Sequence, residues 1–224
     1  NRIMKDCHDN LGMRFFVISG GEPLAYKSKG KTILDLFRKY SDSYFLMYTN
    51  GTMITQKVAD EMAKLGNITP AISVEGYEKE TDARRGKGVF KKIIAAFEHL
   101  KKAGVPFGVS VTATKKNVEV FMKDKFYDYY FLELGATYMW MFQCMPIGRA
   151  YELDLMMTPE QRFALFKVWR HILKDKHYFV ADFWNSANMS KGCISCGKSY
   201  FYIDWDGKIL PCVFIPYYKD TVQE

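Results

Sequence analysis

The sequence predicts an α/β protein organised on a parallel sheet. Three observations carry this expectation. Short apolar runs alternate with amphipathic stretches from the start of the chain to about residue 185, the pattern of strands and crossover helices. The amphipathic stretches are long enough to return the chain to the same end of a sheet. Each apolar run also gives way to glycine, hydroxyl, amide or carboxylate residues, and in such folds the strand C-termini carry the function. Five or six units of this kind make either an open doubly wound sheet or an incomplete barrel.

The elements follow in order. Ile3, Met4, Cys7 and Leu11 recur at helical spacing and precede Gly12, a helix stop. Phe15 to Ile18 is a buried strand running into Ser19 and two glycines. Ile33, Leu34 and Phe37 mark a second helix, Tyr44 to Tyr48 a second strand, and Val58, Met62 and Leu65 a third helix closed by Gly66. Ala71 to Val74 is a short strand. Phe90, Ile93, Ile94, Phe97 and Leu100 form the apolar face of a long helix stopped by Gly104, and Val105 to Thr112 is the next strand. Val118 to Leu134 reads as one helix with an aromatic face, and Tyr138 to Met145 as a strand. Thr158 is an N-cap before Pro159 at the first helical turn. Val180 to Trp184 completes the series.

At 224 residues the chain is long enough for one large core. Hydrophobic residues at 48% and charged ones at 25% give the balance of an ordinary globular protein. The net charge of +7 is spread in pairs along helices, such as Lys91 with Lys92 and Lys101 with Lys102, so it marks solvated faces rather than a nucleic-acid stripe. No apolar run is long enough to span a membrane, and the opening NRIMKD is no signal peptide. Five cysteines at unequal spacing do not describe a disulfide framework, and a reducing compartment is expected.

The residues after each strand are the candidates for a site. They are Gly20, Gly21, Glu22 and Pro23; then Thr49, Asn50 and Gly51; then Ser73, Glu75 and Gly76; then Ser110, Thr112 and Thr114; then Gln143, Cys144, Met145, Pro146 and Ile147. A sheet end facing plain solvent would also be polar, but convergence of all five groups on one rim favours a site. In the first group the glycines clear space for close backbone approach and Pro23 stiffens the loop. Glu22, between free carbonyls, suits a cationic amine. The plain alternative is a tight turn with a solvated glutamate.

The GGEP stretch resembles the cofactor loop of the radical S-adenosylmethionine (SAM) enzymes. Further segments extend the resemblance over nearly the whole chain: YTNGTMI at 48–54, AISVEG at 71–76, ETDARRGKGVF at 80–90 and QCMPIGRA at 143–150. The resemblance implies a partial (β/α)6-type TIM barrel over residues 1–185. It implies that Gly20, Gly21, Glu22 and Pro23 meet the amino group of SAM, with Asn50, Ser73, Glu75 and Ser110 beside it. Arg85, which directly precedes Gly86, is the arginine expected to pair with the cofactor carboxylate, with Arg84 its rival; Asp82 belongs to the same segment. Met145 and Ile147 are expected to wall the adenine. Glu75 stands where the family motif S-x-D-G usually has aspartate.

What the resemblance implies about activity is an oxidoreductase that uses SAM and a [4Fe-4S] cluster to generate a 5′-deoxyadenosyl radical. The expected partners are a peptide or protein substrate and an electron donor such as flavodoxin or ferredoxin, in the cytoplasm, with no nucleic acid and no membrane. No residue is assigned as catalytic acid, base or nucleophile. The family's C-x-x-x-C-x-x-C cluster loop should precede the GGEP strand, where Cys7 stands alone. The chain is therefore expected to be a fragment, with cluster ligands before Asn1, unable to start the reaction by itself.

Near the other end, Cys193-Ile194-Ser195-Cys196 precedes FYIDWDGKIL, a hairpin pattern with an Asp-Gly turn, whose far arm returns Cys212. Three thiolates brought together suit zinc or an iron–sulfur cluster; three reduced core thiols are the plain alternative. The spacing of Cys196, Gly207 and Cys212 resembles the opening of the SPASM or twitch auxiliary-cluster domain of the same enzymes. It implies that residues 186–224 begin such a domain, with Cys193, Cys196 and Cys212 as ligands of an auxiliary [4Fe-4S] cluster. Cys7 and Cys144 are expected to be ordinary buried thiols. Two other functions stay open: a cluster-less binding or scaffold relative, and a metal-independent barrel enzyme with structural zinc.

Overall fold

In a computed structural model, residues 2–147, 153–193, 199–218 and 220–222 are described. A six-stranded sheet holds β1 (Phe15–Ile18), β4 (Tyr44–Thr49), β5 (Ile68–Val74), β6 (Gly108–Ala113), β7 (Tyr138–Gln143) and β8 (Val180–Asp182) in that spatial order. Between β1 and β4, the two-residue strands β2 (Lys27–Ser28) and β3 (Lys31–Thr32) form a small separate hairpin. Every pairing in the large sheet is parallel. Each strand lies beside the one before it, so the order never reverses. A doubly wound sheet needs a reversal. Sequential order keeps the helices on one side and lets the sheet curl, which is the half-barrel of a partial (β/α)6 TIM barrel.

The crossovers carry α2 (Ile33–Lys39), α3 (Gln56–Leu65), α4 (Glu78–Arg85), α5 (Val89–Ala103), α6 (Val118–Phe121), α7 (Asp124–Asp128) and α8 (Pro159–Lys174), after a short α1 (Arg2–Lys5). Alternation along the strands divides the residues between two faces. Phe45, Met47, Ile72, Val74, Val109, Val111, Met139 and Met141 face the helices and join Phe97, Leu100, Phe121, Tyr130 and Leu165 in the core. Tyr48, Ala71, Ser73, Ser110, Trp140 and Phe142 therefore face the concave side.

Several elements differ from the sequence expectation. β1, expected to be buried, leaves Phe15 and Val17 exposed at the sheet edge, and β6 begins at Gly108 rather than Val105. β5 begins at Ile68 rather than Ala71. Pro70 conceals its start, and the proline is tolerated because β6 joins β5 only from Ala71 onward, leaving Pro70 paired on one side. The stretch from Val118 to Leu134 is not one helix: α6 stops at Phe121, and α7 is followed by a wide turn over Tyr129–Glu133. Burial of Phe121, Phe126, Tyr127 and Tyr130 decides this path, and the Tyr127 hydroxyl donates to the Phe121 carbonyl at 3.0 Å where the helix breaks. α4 carries no apolar stripe and so gave no periodic signal.

After β8, the expected hairpin is present as β9 (Tyr202–Ile203) and β10 (Lys208–Leu210), with β11 (Asp220–Thr221) added on the other side of β10. Gly207, at φ +80°, turns the chain and donates its N–H to the Asp204 carbonyl at 3.1 Å. Among the described residues no helix is long and apolar enough to cross a membrane.

Candidate functional site

The parallel sheet puts all strand C-termini on one rim, and the GGEP loop begins it. Gly20 sits at φ +140°, which side chains disfavour, and a methyl group added there would touch nothing within 4 Å. The loop therefore needs glycine for its backbone course and has open space beside it. Among the described residues the carbonyls of Gly20 and Gly21 accept no backbone hydrogen bond.

Glu22 is turned toward the protein. Its Oε1 accepts the Leu24 N–H at 3.1 Å and the Thr49 hydroxyl at 2.7 Å; Oε2 accepts the Asn50 N–H at 2.8 Å. Three donors thus hold the carboxylate and tie the loop to the end of β4. The groups left for a cationic amine here are the carbonyls. The Asn50 side chain closes its own turn, Oδ1 accepting the N–H of Thr52 at 2.9 Å and its hydroxyl at 2.7 Å.

Ser73 and Ser110 pair in register at the centre of the concave face. Glu75, at the end of β5, is 1% exposed. Arg84 Nη1 donates to its Oε2 at 2.5 Å, while Arg85 donates to Oε1 from Nε at 3.0 Å and Nη2 at 2.6 Å. Two guanidiniums on one carboxylate leave one positive charge in excess. Arg85, assigned from the sequence to the cofactor carboxylate, is thus engaged through two of its nitrogens. Arg84 is half exposed and binds Glu75 through one. Burial pushes the Cys144 thiol pKa up, and the Arg84 charge pulls against it. Cys144 is half buried rather than the buried thiol expected.

Asp82 caps the following helix. It accepts the N–H of Gly88 at 2.6 Å and of Phe90 at 2.8 Å, and these bonds hold its pKa below the ordinary 3.8. Asn117 braces the rim from below, its Nδ2 donating to the carbonyls of Glu75 and Thr112, each at 3.0 Å. The β7 end continues as Cys144 N–H donates to Ala113 at 2.9 Å, then Met145 accepts from the Ile147 N–H at 2.9 Å. Gly20, Glu22, Asn50, Glu75, Met145 and Ile147 therefore stand along one rim just after its strand ends, Arg85 is held there by Glu75, and Ser73 and Ser110 lie within the strands on the concave face.

Sequence reasoning missed the interior. Ala71 and Gly108 lie side by side in the sheet, and Gly108 pairs with Tyr138. A methyl on Gly108 would sit 2.2 Å from the Tyr138 ring, so that ring lies on the glycine, and its hydroxyl is 2.9 Å from that of Thr69. Above this, Tyr48 meets Phe142 edge-on at 5.9 Å across the concave face. Burial pushes the Tyr48 pKa far up, so the phenol stays neutral. Phe142 continues to Phe183 at 5.3 Å and Trp184 at 6.4 Å, and Trp184 to Phe214 at 5.0 Å. The small residues of β5 and β6 were the available signal, since they leave room for rings from the flanking strands.

Of the cysteine ligands expected, Cys193 is exposed and Cys212 is buried; Cys196 lies outside the described residues. The Tyr200 hydroxyl is 3.4 Å from Cys212 Sγ. Among the described residues no three His, Cys, Asp or Glu side chains gather as a metal site. Two surface grooves, of about 660 Å3 along Tyr77, Val120 and Met122 and about 470 Å3 between α8 and Met189, involve helices rather than the rim residues above.

Known proteins resemble the chain in sequence and in fold. It is 26% identical to the AdoMet-dependent heme synthase of Methanosarcina barkeri, covering 96% of this chain and 67% of the synthase. The synthase of Oleidesulfovibrio alaskensis is 25% identical, with 96% and 61% covered. Mycofactocin maturase MftC of Mycolicibacterium smegmatis is 32% identical, with 94% and 55% covered. The chain thus spans between about half and two thirds of these relatives. Among solved structures, anSMEcpe with bound AdoMet superposes with a TM-score of 0.67 at 20% identity, covering 92% of this chain and 62% of that one. Streptococcus suis SuiB bound to S-adenosylmethionine gives 0.71 at 18%, with 98% and 54% covered. At these identities the superpositions establish the fold. The sequence profile of the Radical SAM superfamily matches residues 1–121, more than half of the chain. Its strand-end rim, its half-barrel and that match place the chain in the radical SAM superfamily, whose matched relatives are enzymes.

Proposed function

We propose that residues 1–185 are the barrel core of a radical SAM oxidoreductase that holds SAM on the rim and modifies a peptide or protein. The observation that carries this reading is the convergence at one sheet end of open carbonyls, an excess positive charge and apolar residues. These fit the ammonium, carboxylate and adenine of SAM in turn. The Gly20 and Gly21 carbonyls receive the ammonium, held in place by Glu22 from behind. Arg84 and Arg85, anchored on Glu75, face the carboxylate. Ser73 and Ser110 offer hydroxyls, and Met145 and Ile147 cover the base. When bound and reduced by one electron, SAM supplies a carbon radical that takes a hydrogen atom from substrate. The rings of Tyr48, Trp140 and Phe142 keep water from one side of that space.

The same reading puts the [4Fe-4S] ligands before Asn1, the electron donor in the flavodoxin or ferredoxin class, and the working compartment in a reducing cytoplasm. Residues 186–224 begin an auxiliary domain in which Cys193, Cys196 and Cys212 bind metal. A second reading of the substrate, a tetrapyrrole, is favoured by the aromatic row from Tyr48 to Trp184 and by the heme synthases among the relatives. Anaerobic full-length protein tests both. Iron with sulfide and SAM-dependent release of 5′-deoxyadenosine are expected, and zinc alone with no SAM binding by calorimetry overturns the proposal. Quenching of tryptophan fluorescence by a porphyrin carboxylate, with none by peptide, favours the tetrapyrrole.

A further inference from the structure

Tyr200 and Cys212 face each other by construction of the hairpin. β9 and β10 pair Ile203 with Ile209 and Tyr202 with Leu210, and continuing that antiparallel register by two residues sets Tyr200 opposite Cys212. The turn that fixes the register is well bonded, Asp204 Oδ1 accepting the N–H of Asp206 at 2.9 Å and of Lys208 at 2.8 Å. Beyond Cys212 the chain is pinned to the barrel by Phe214, which packs on Trp184 at 5.0 Å and Phe183 at 6.0 Å. The Tyr200 hydroxyl then donates to Cys212 Sγ at 3.4 Å, while Cys212 is only 6% exposed.

A neutral thiol is a weak acceptor and gains little from such a donor. A metal-bound thiolate gains much more, because the bond is then charge-assisted. Partners of this kind orient metal ligands and tune the centre. We infer that Tyr200 is a positioning residue for a metal-bound Cys212, its O–H holding the sulfur in place and raising the reduction potential of the centre. The inference rests on the reading of Cys212 as a cluster ligand. A donor to the sulfur stabilises the more electron-rich reduced form, so removing it lowers the potential.

The test uses anaerobically prepared full-length protein, with iron and sulfide analysis and an EPR-monitored redox titration of the cluster that the Cys212→Ala variant lacks. Tyr200→Phe keeps the ring and is expected to keep the iron and sulfide. It should lower that cluster's potential by about 59 mV, the one-electron equivalent of a tenfold change. Tyr200→Ala should give the same shift, since both lack the hydroxyl. An unchanged potential in Tyr200→Phe, or a shift confined to Tyr200→Ala, overturns the role of Tyr200 while leaving the ligand reading intact. If Cys212→Ala retains wild-type iron and sulfide, or the protein holds zinc instead, the ligand reading itself fails.

Discussion

Glu75 Oε1 receives both Nε and Nη2 of Arg85, at 3.0 and 2.6 Å, in a site where the carboxylate is 1% exposed. A carboxylate so buried needs its cations, and the cations need it to stay near the rim. Removing one partner of a fully buried pair costs about 3–5 kcal/mol. Here the arginines are partly wet, so Glu75→Gln should cost about 2 kcal/mol in urea unfolding. It should also weaken SAM binding about tenfold, or about 1.4 kcal/mol. Wild-type affinity in a folded Glu75→Gln protein would remove the cluster from the site.

The two arginines should separate in a paired experiment. Arg85, bonded twice to Glu75, should lower the unfolding midpoint more when replaced by alanine. Arg84, half exposed with nitrogens to spare, should cost more SAM affinity than stability when replaced. Calorimetry and thermal melts on both variants decide the ranking, and the opposite pattern makes Arg85 the main contact to the SAM carboxylate.

Glu22 predicts a positioning effect. Glu22→Ala releases the hydroxyl of Thr49 and the N–H groups of Leu24 and Asn50. Leaving such donors without a partner costs about 1–3 kcal/mol, and the loosened GGEP carbonyls should bind SAM more weakly. Glu22→Gln keeps one acceptor and should recover part of both losses.

Gly108 tests the interior packing. Gly108→Ala drives a methyl group into the Tyr138 ring, and overpacking of this kind costs about 1–3 kcal/mol. Combining it with Tyr138→Leu should restore most of the stability, because the clash needs the ring. Additive losses in the double variant would count against the contact.

Stability should also depend on pH in a defined direction. Hydrogen bonds donated to Asp175 and Asp124 raise the His171 pKa above its ordinary 6.5, and those to Asp9 and Asp42 raise that of His8. The stabilisation is complete below about pH 6.5 and fades as the pH climbs through the raised folded values. Melting temperature should therefore fall on that alkaline side, and His171→Gln with His8→Gln should flatten the slope.

The sequence was informative wherever a local pattern sufficed. Apolar runs at Phe15, Tyr44 and Tyr138 located strands, and Gly66 and Gly104 marked helix ends, because these signals need only neighbouring residues. The rim at Gly20, Ser73 and Met145 followed from the rule that parallel strands end on one side. Other features depend on contacts distant in sequence. Glu75 meets its arginines only after a turn and a helix intervene, and Glu22 finds Thr49 across two strands. Aromatic burial broke the helix at Phe121 against its own periodicity, and Pro70 hid a strand start that a missing neighbour makes tolerable.

The Tyr138 ring lying on Gly108, with its hydroxyl against Thr69, links β5, β6 and β7 from the concave side near their starting ends. A single side chain thus braces three strands against sliding, and trimming Tyr138 should loosen the base of the sheet while leaving the groups at the rim in place.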